Sequence, residues 1–191
     1  MDFALSDEVE KYRRSIRHFV AQHILPLEAD PANADEHENI RVDVLQLVRA
    51  KVKAAGLWAI QMPVERGGRG LNVAGMAACY EEMGRSIYGP VCFNSAAPDD
   101  GNMIVLNRVA TEAQKDRWLQ PIVDGEVRSS FVMTEPMPGS GSDPSAMRTF
   151  AKREADKWVI DGHKWFITGA DAAKHFILIA RTSNDPRRGL S

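Results

Sequence analysis

The residues from Phe131 to Asp143, FVMTEPMPGSGSD, combine types that could surround an anion or the polar edge of a heterocycle. Gly139 and Gly141 let the backbone approach a ligand closely, and Ser140 and Ser142 add hydroxyl groups. A plain surface connection has the same composition, so the segment alone leaves both interpretations open. It is not a dinucleotide fingerprint, because the third glycine is missing and a β pattern follows where a helix would begin.

A second segment with possible chemistry is GHKWFITGA, residues 162–170. Thr168 ends a predicted strand and is close in sequence to the flat side chains of Trp165 and Phe166. A threonine hydroxyl in that position could hydrogen-bond a planar ring that stacks on the aromatic side chains. The alternative is a core hairpin in which the threonine only favours β structure.

The chain up to about Leu119 has helical periodicity. Apolar residues recur at steps of three and four from Leu5 to His23, with Ser6 as the expected N-cap and Pro26 as the expected end of the helix. Further helices are predicted at 42–55, where Gly56 would cap the end, at 73–83, at 101–109, and from the Thr111–Gln114 capping box onward.

Beyond Val127 the pattern changes to short runs rich in β-branched and aromatic residues. Asp161-Gly162 lies between two such runs and predicts a two-residue hairpin turn. We therefore predict an α+β protein, with an N-terminal all-α domain (residues 1–127) and an incomplete antiparallel β domain (residues 128–191) whose open edges are typical of the middle of a domain. The predicted strands are 129–134, 146–153, 157–160, 164–168 and 175–181.

Composition excludes several classes of function. The net charge is −2 and charges of both signs are interspersed, which gives no indication of a nucleic-acid partner. Cys79 and Cys92 lack CxxC spacing or a histidine cluster, so we expect reduced thiols, one or both at least partly buried, and neither a metal site nor a disulfide framework. The sequence has neither a secretory signal nor a run of about 18 apolar residues that could span a membrane. We expect a location in the cytoplasm, or in an organelle matrix in a eukaryote.

The ordered combination of MTEP, a Gly/Ser turn and, about thirty residues later, GHKWFITG resembles the acyl-CoA dehydrogenase family. The helical half is similar too, in GLWAIQMPVERGGRGL, YEEMGRS and TEAQKDRWLQPIVDGEVRSSFVMTEP. The resemblance covers nearly all 191 residues. APDDGNMIVL and the two β motifs look most like the branch of family members 10 and 11 in vertebrates.

The resemblance implies that FAD binds with its isoalloxazine ring against the β domain. Thr134 would donate to the pyrimidine end of the ring, and the Thr168 hydroxyl would lie near N5, so that both threonines converge on one flat ring. The residues that the resemblance assigns to the cofactor are Phe131, Met133, Thr134, Ser140, Phe166, Ile167 and Thr168.

The family turn also carries a serine that contacts the FAD pyrophosphate or the pantetheine of the acyl-CoA substrate. Here the turn has one extra residue, so either Ser140 or Ser142 fits the role, with Ser140 slightly favoured by the count from Thr134. The implied reaction is α,β-desaturation of an acyl-CoA thioester, as in the β-oxidation of fatty acids, with an electron-transfer flavoprotein as the acceptor. The family's full-length chains imply a homo-oligomer.

The family's catalytic glutamate lies on a C-terminal helical domain, which this sequence does not contain, so we assign no catalytic residue. Glu135 is expected to brace the turn, and His163 and His175 are expected to be structural. The chain is therefore expected to be an N-terminal fragment that is inactive alone. The alternatives are an acyl-CoA oxidase on the same scaffold, or a non-catalytic binding or assembly module.

Overall fold

The computed structural model describes residues 4–185 and 188–191. The chain divides into two compact units, residues 1–125 and residues 126–191. Helices occupy the first unit and the β-strands lie in the second, which confirms the predicted α+β fold class. Among the described residues, no helix combines the length and the apolar character that a membrane span requires.

The first helix, α1 (Asp7–Phe19), begins where the sequence predicts, because the Ser6 hydroxyl accepts a hydrogen bond from the third amide after it at 3.3 Å. The predicted end at Pro26 is wrong. The helix widens into a π turn (Val20–Ile24) and continues as α2 (Leu25–Glu28). Pro26 is tolerated because it lies in the first turn of α2, where the wider turn before it relieves the clash with preceding carbonyl groups.

The other predicted helices are confirmed with small changes at their ends. Gly56 adopts a φ of +70° just after α3, as a helix C-cap requires, and Thr111 and Gln114 form the predicted capping box. The helices are α3 (Val42–Ala54), α4 (Val73–Met83), α5 (Gly89–Cys92), α6 (Asp99–Val109), α7 (Glu112–Gln114) and α8 (Gln120–Val123), with a π turn (Lys115–Leu119) before α8.

Helices α1 and α4 are joined by a buried carboxylate. Glu82 on α4 is 2% exposed and accepts hydrogen bonds from Arg17 on α1 at 2.9 and 2.5 Å. These hydrogen bonds, with the charges of Arg13 and Arg85, lower the pKa of Glu82 although burial opposes the shift. The carboxylate therefore stays ionised and holds the two helices in register.

Both cysteines are free and buried in the helical unit, as predicted. Burial raises the pKa of Cys79 to about 11 and the pKa of Cys92 to about 12. Neither thiol is a reactive thiolate at physiological pH.

The second unit contains two pairs of strands. Strand β1 (Arg128–Val132) pairs with β4 (Ala173–Leu178) in parallel, whereas β2 (Phe150–Glu154) and β3 (Lys157–Asp161) form an antiparallel hairpin. The prediction of an antiparallel arrangement is therefore correct for β2 and β3 and wrong for β1 and β4. The segment between β1 and β4 contains the hairpin and is long enough for the crossover that a parallel pair needs.

Two details of the predicted strands are wrong. The hairpin turns at Ala155 and Asp156, where Ala155 adopts a φ of +54°, and not at Asp161-Gly162. Gly162 is needed for close packing instead, because a Cβ there would lie 2.3 Å from Thr149 Oγ1. Residues 164–168, all within the described part of the chain, form no strand and lead into a turn.

Candidate functional site

The turn after β1 is built around the buried carboxylate of Glu135, which is 2% exposed. Its Oε2 accepts hydrogen bonds from the amides of Ser140 at 3.2 Å and Arg148 at 2.8 Å. Its Oε1 accepts from the Thr149 amide at 2.8 Å and from the Lys164 ammonium at 3.1 Å. Glu135 therefore holds together the turn, the approach to β2 and the second candidate segment.

These contacts decide the role of Glu135. Burial raises its pKa, but hydrogen bonds from Thr149, Arg148 and Lys164 outweigh this effect and bring the pKa to about 2. A carboxylate with so low a pKa is a weak proton acceptor at neutral pH, so it does not fit a general base. The structural role predicted for Glu135 is confirmed. The amide groups that could have bound an external anion are taken up by the protein's own carboxylate.

The two candidate serines differ in accessibility. Ser140 is 7% exposed, and its hydroxyl donates to the Gly141 carbonyl at 3.1 Å. Ser142 is exposed, and its hydroxyl has no hydrogen-bond partner within the described residues. The sequence count slightly favours Ser140, whereas the structure leaves the hydroxyl of Ser142 open to a ligand. The contact of either serine with a ligand stays a prediction.

The two candidate segments lie side by side. The Trp165 amide donates to the Thr134 carbonyl at 3.1 Å, and the Ser130 hydroxyl donates to the Thr168 carbonyl at 2.9 Å. Thr134 therefore lies opposite Trp165 at one end of the paired segments, and Thr168 lies opposite Ser130 at the other. The structure thus joins the backbones that carry the two predicted flavin-contacting threonines.

The second segment presents an exposed aromatic pair. Phe166 is 81% exposed and Trp165 is 40% exposed, and their ring centroids lie 4.5 Å apart at an interplanar angle of 37°. Phe166 also has a φ of +50°. A left-handed backbone conformation is uncommon for a bulky residue and costs on the order of 1–3 kcal/mol. Such strain at an exposed aromatic side chain is typical of a functional site.

The remaining predicted contacts lie on the same two segments. Phe131 on β1, Met133, Thr134 and Ile167 are partly buried, and Thr168 is exposed. The amide N–H and the hydroxyl of Thr134 have no acceptor within the described residues. The contacts of these residues with a flavin stay a prediction.

The chemistry of this set fits FAD. The isoalloxazine ring has a polar pyrimidine edge that accepts hydrogen bonds and a flat apolar face. Thr134 offers a free amide and hydroxyl for such an edge, Thr168 offers a second hydroxyl, and Phe166 offers a flat apolar side chain.

An open cleft of about 320 Å³ lies beside the Glu135 turn and is lined in part by Pro138, Arg148, Gly162 and His163. His175, on β4, has a buried Nδ1 without a hydrogen-bond partner. Within residues 4–185 and 188–191, no three His, Cys, Asp or Glu side chains cluster so that they could hold a metal ion.

Sequence reasoning missed Lys164 and Ser130, and it assigned Gly162 to a hairpin turn and missed its close contact with Thr149. Lys164 is 8% exposed in its side chain, and its ammonium donates to the Met133 carbonyl at 2.8 Å. A lysine next to Trp165 and Phe166 in a segment with few other charges was the available signal, because buried lysines need a partner. Ser130 gave no signal, because a serine on a strand is ordinary.

Comparison with known proteins finds relatives of both units of the chain. Residues 6–126 match the acyl-CoA dehydrogenase N-terminal domain, and residues 130–191 match the acyl-CoA dehydrogenase middle domain. Mouse acyl-CoA dehydrogenase family member 10 is 36% identical over 192 residues, which cover 96% of this chain and 18% of that protein.

Two solved structures have the same fold. A Mycobacterium abscessus protein that carries the acyl-CoA dehydrogenase name is 36% identical, with a TM-score of 0.84 over 97% of this chain and 48% of that one. A chain in a structure of the electron transferring flavoprotein of Acidaminococcus fermentans is 28% identical, with a TM-score of 0.69 over 96% of this chain and 46% of that one. The chain spans less than half the length of these relatives.

A helical unit followed by this β unit has the fold of the N-terminal and middle domains of an acyl-CoA dehydrogenase. The matches to both domain models show that the chain belongs to the acyl-CoA dehydrogenase family of oxidoreductases. The resemblance to family member 10 seen in the sequence is also confirmed.

Proposed function

We propose that this chain forms one wall of the FAD site of an acyl-CoA dehydrogenase. The reaction is α,β-desaturation of an acyl-CoA thioester, and an electron-transfer flavoprotein is the electron acceptor. The observation that carries the proposal is the pairing of the Thr134 and Thr168 segments by two hydrogen bonds, with Phe166 exposed beside them. The structure related to this chain that is named for an electron transferring flavoprotein supports the choice of acceptor.

FAD, when bound, supplies the acceptor for the hydride that leaves the β carbon. The chain's own residues bind and orient the ring. Thr134 donates its amide and hydroxyl to the pyrimidine edge, and Thr168 donates its hydroxyl at the other end of the paired segments. Phe166 and Trp165 keep water from the ring, because they present apolar surface.

Removal of the α proton needs a carboxylate from elsewhere. The donors around Glu135 hold its pKa at about 2, so Glu135 cannot take the proton efficiently. We assign the base to the C-terminal helical domain that family resemblance implies, and we expect no desaturation by these 191 residues alone. The pantetheine of the acyl-CoA or the FAD pyrophosphate would then meet the exposed hydroxyl of Ser142 or, after a rearrangement of the turn, that of Ser140.

The test is an NMR titration of the 191-residue chain with FAD at up to millimolar concentration, because half a site binds weakly. We expect the amide signals of Thr134, Phe166 and Thr168 to shift together and to saturate. Phe166→Ala should weaken binding, whereas Phe176→Ala, which removes a 54% exposed phenylalanine on β4, should not. Shifts that are absent, scattered, or equally reduced by both variants would contradict a flavin wall.

A binding or assembly module is the second candidate, and one observation favours it. Trp158 and Ile160 on the β2–β3 hairpin are 56% and 51% exposed, which is unusual for large apolar side chains on one strand. A reading frame that continues past Ser191 into a helical domain would favour the enzyme. A chain that never binds FAD but forms a stable complex through the hairpin would favour the module.

A further inference from the structure

Lys164 lies where the two candidate segments meet. Its side chain is 8% exposed, and its ammonium donates to the Met133 carbonyl at 2.8 Å and to Glu135 Oε1 at 3.1 Å. The next residue, Trp165, donates its amide to the Thr134 carbonyl. The peptide group between Met133 and Thr134 is therefore held from its carbonyl side by a positive charge.

We propose that Lys164 is a positioning residue that strengthens the Thr134 amide as a hydrogen-bond donor toward the flavin. The Met133 carbonyl and the Thr134 N–H belong to one peptide group, so a cation on the oxygen withdraws electron density from the nitrogen. In surroundings of low dielectric constant, this polarisation strengthens the hydrogen bond that the Thr134 N–H donates. Only the identity of the acceptor rests on the proposed flavin function.

Bracing the turn does not require this lysine. Without Lys164, the Glu135 carboxylate still accepts hydrogen bonds from the amides of Ser140, Arg148 and Thr149. An apolar side chain of the same length would fill the space without the desolvation cost that a buried ammonium carries. The positive charge acts on both Glu135 Oε1 and the Met133 carbonyl, but only the contact with the carbonyl reaches the Thr134 amide through a shared peptide group.

The free Thr134 amide is the group on which this effect can be measured. It has no acceptor within the described residues, and Thr134 is partly buried. Base-catalysed hydrogen exchange removes the amide proton, so a nearby cation accelerates exchange and its loss slows exchange. If the substitution only loosened the turn, exchange of the Thr134 amide would become faster, because the amide would be more exposed to water.

The experiment measures hydrogen exchange and the ¹H–¹⁵N signal of Thr134 in the 191-residue chain and three variants. Lys164→Met keeps the side-chain length and removes the charge, Lys164→Arg keeps the charge, and Lys157→Met removes an exposed lysine of β3 as the matched control. We expect Lys164→Met to slow Thr134 exchange by about threefold or more, as expected for loss of a charge in contact with the peptide group. Lys164→Arg and Lys157→Met should stay close to the wild type.

Faster or unchanged exchange in Lys164→Met overturns the proposal. If Lys164→Met and a second neutral variant, Lys164→Gln, both lose the folded spectrum, the lysine is structural and the proposal is also overturned.

Addition of FAD tests the acceptor separately. Lys164→Met should bind FAD about tenfold more weakly than the wild type, because the Thr134 amide becomes a weaker hydrogen-bond donor. If the wild-type chain does not bind FAD, the proposed function is contradicted. The exchange rate of the Thr134 amide still decides whether Lys164 polarises the Thr134 peptide group.

Discussion

At the scale of single residues, Glu135 shows how the MTEP motif works in this chain. The motif suggests a loop that offers backbone donors to a ligand, but three amides and the Lys164 ammonium converge on the glutamate instead. The buried ion pair and its amide donors fix Met133 and Thr134 at the end of β1. Glu135 thus contributes to the site by holding neighbours in place, and it takes no part in proton transfer.

The depressed pKa of Glu135 predicts an acid-sensitive β unit. Its folded-state pKa of about 2 lies below its ordinary value of 4.5, so the stabilisation is present above pH 4.5 and is lost as the pH falls from 4.5 through 2. At about 1.4 kcal/mol per unit of pKa, the contribution is about 3 kcal/mol at neutral pH. Urea unfolding at several pH values, followed through the NMR signals of β1 and β4, measures it.

Glu135→Gln should lower the free energy of unfolding by about 3 kcal/mol at pH 7 and remove most of this pH dependence, because it leaves the Lys164 charge buried and unpaired. Glu154→Gln is the control, since Glu154 is exposed and pairs with the exposed Lys152 at the surface. It should change stability by less than about 1 kcal/mol. Equal losses of stability in Glu135→Gln and Glu154→Gln would contradict a specific contribution from the buried Glu135 carboxylate.

Gly162 gives a second prediction at the residue scale. A Cβ at this position would lie 2.3 Å from Thr149 Oγ1 and 2.7 Å from Thr149 Cα, so Gly162→Ala must displace backbone. We expect a loss of about 1–3 kcal/mol in the free energy of unfolding of the β unit, measured by urea denaturation. Gly101→Ala on α6 is the control, because among the described residues no heavy atom beyond its chain neighbours and its own helix backbone lies within 4 Å of the added Cβ, and it should be neutral or slightly stabilising. If Gly162→Ala did not lower the free energy of unfolding, the close contact between residue 162 and Thr149 would be contradicted.

At the scale of elements, the helices were largely predictable, whereas the β pairing was predictable only for the antiparallel β2–β3 pair and not for the parallel β1–β4 pair. Caps at Ser6, Thr111 and Gly56 are local signals, so the helices they bound were predicted well. The predicted helix end at Pro26 was wrong because a wide π turn, which has no recognisable sequence pattern, allows the helix to continue through the proline. Asp161-Gly162 misled because its glycine serves a contact with a residue distant in sequence.

Only part of the candidate site was predictable from the sequence. Its two segments could be found from their motifs, because the residue types and their order are specific in combination. The hydrogen bonds that join the segments could not be found, because they involve the backbone of Trp165 and the ordinary side chain of Ser130. The parallel pairing of β1 with β4 depends in the same way on contacts across a long separation in sequence.

The contact between α1 and α4 leads to a prediction for the helical unit. Glu82→Gln removes the charge that Arg17 and Arg13 share and leaves a buried amide against two guanidinium groups. We expect a loss of about 2–3 kcal/mol, somewhat less than the roughly 3–5 kcal/mol that breaking a fully buried pair costs, because Arg17 is half exposed and can be hydrated. Thermal unfolding followed by far-UV circular dichroism measures it. Glu81→Gln, on the exposed side of α4, should have little effect on stability. A similar loss in both variants would contradict a specific contribution from Glu82.

At the scale of the whole molecule, the chain combines weak charge repulsion with an uncovered apolar surface. Its net charge is only −2, so electrostatic repulsion between copies is small near neutral pH. In the β2–β3 register, Ile160 lies opposite Ala151 and Trp158 lies opposite Arg153, which places both large side chains on one face of the hairpin. Ala151 is buried, so this face continues outward from the core of the β unit.

Exposed apolar side chains on a short hairpin favour strand-to-strand association, so we expect the 191-residue chain to self-associate as its concentration rises. Ile160→Lys should reduce the association at least about tenfold, because it places a charge in the middle of the apolar face. Val159→Lys is the matched control, since Val159 is 48% exposed on the opposite face of the same strand. Sedimentation velocity over a range of concentrations measures the effect. A chain that stays monomeric throughout, or two lysine variants that act alike, would mean that this face of the hairpin does not drive association.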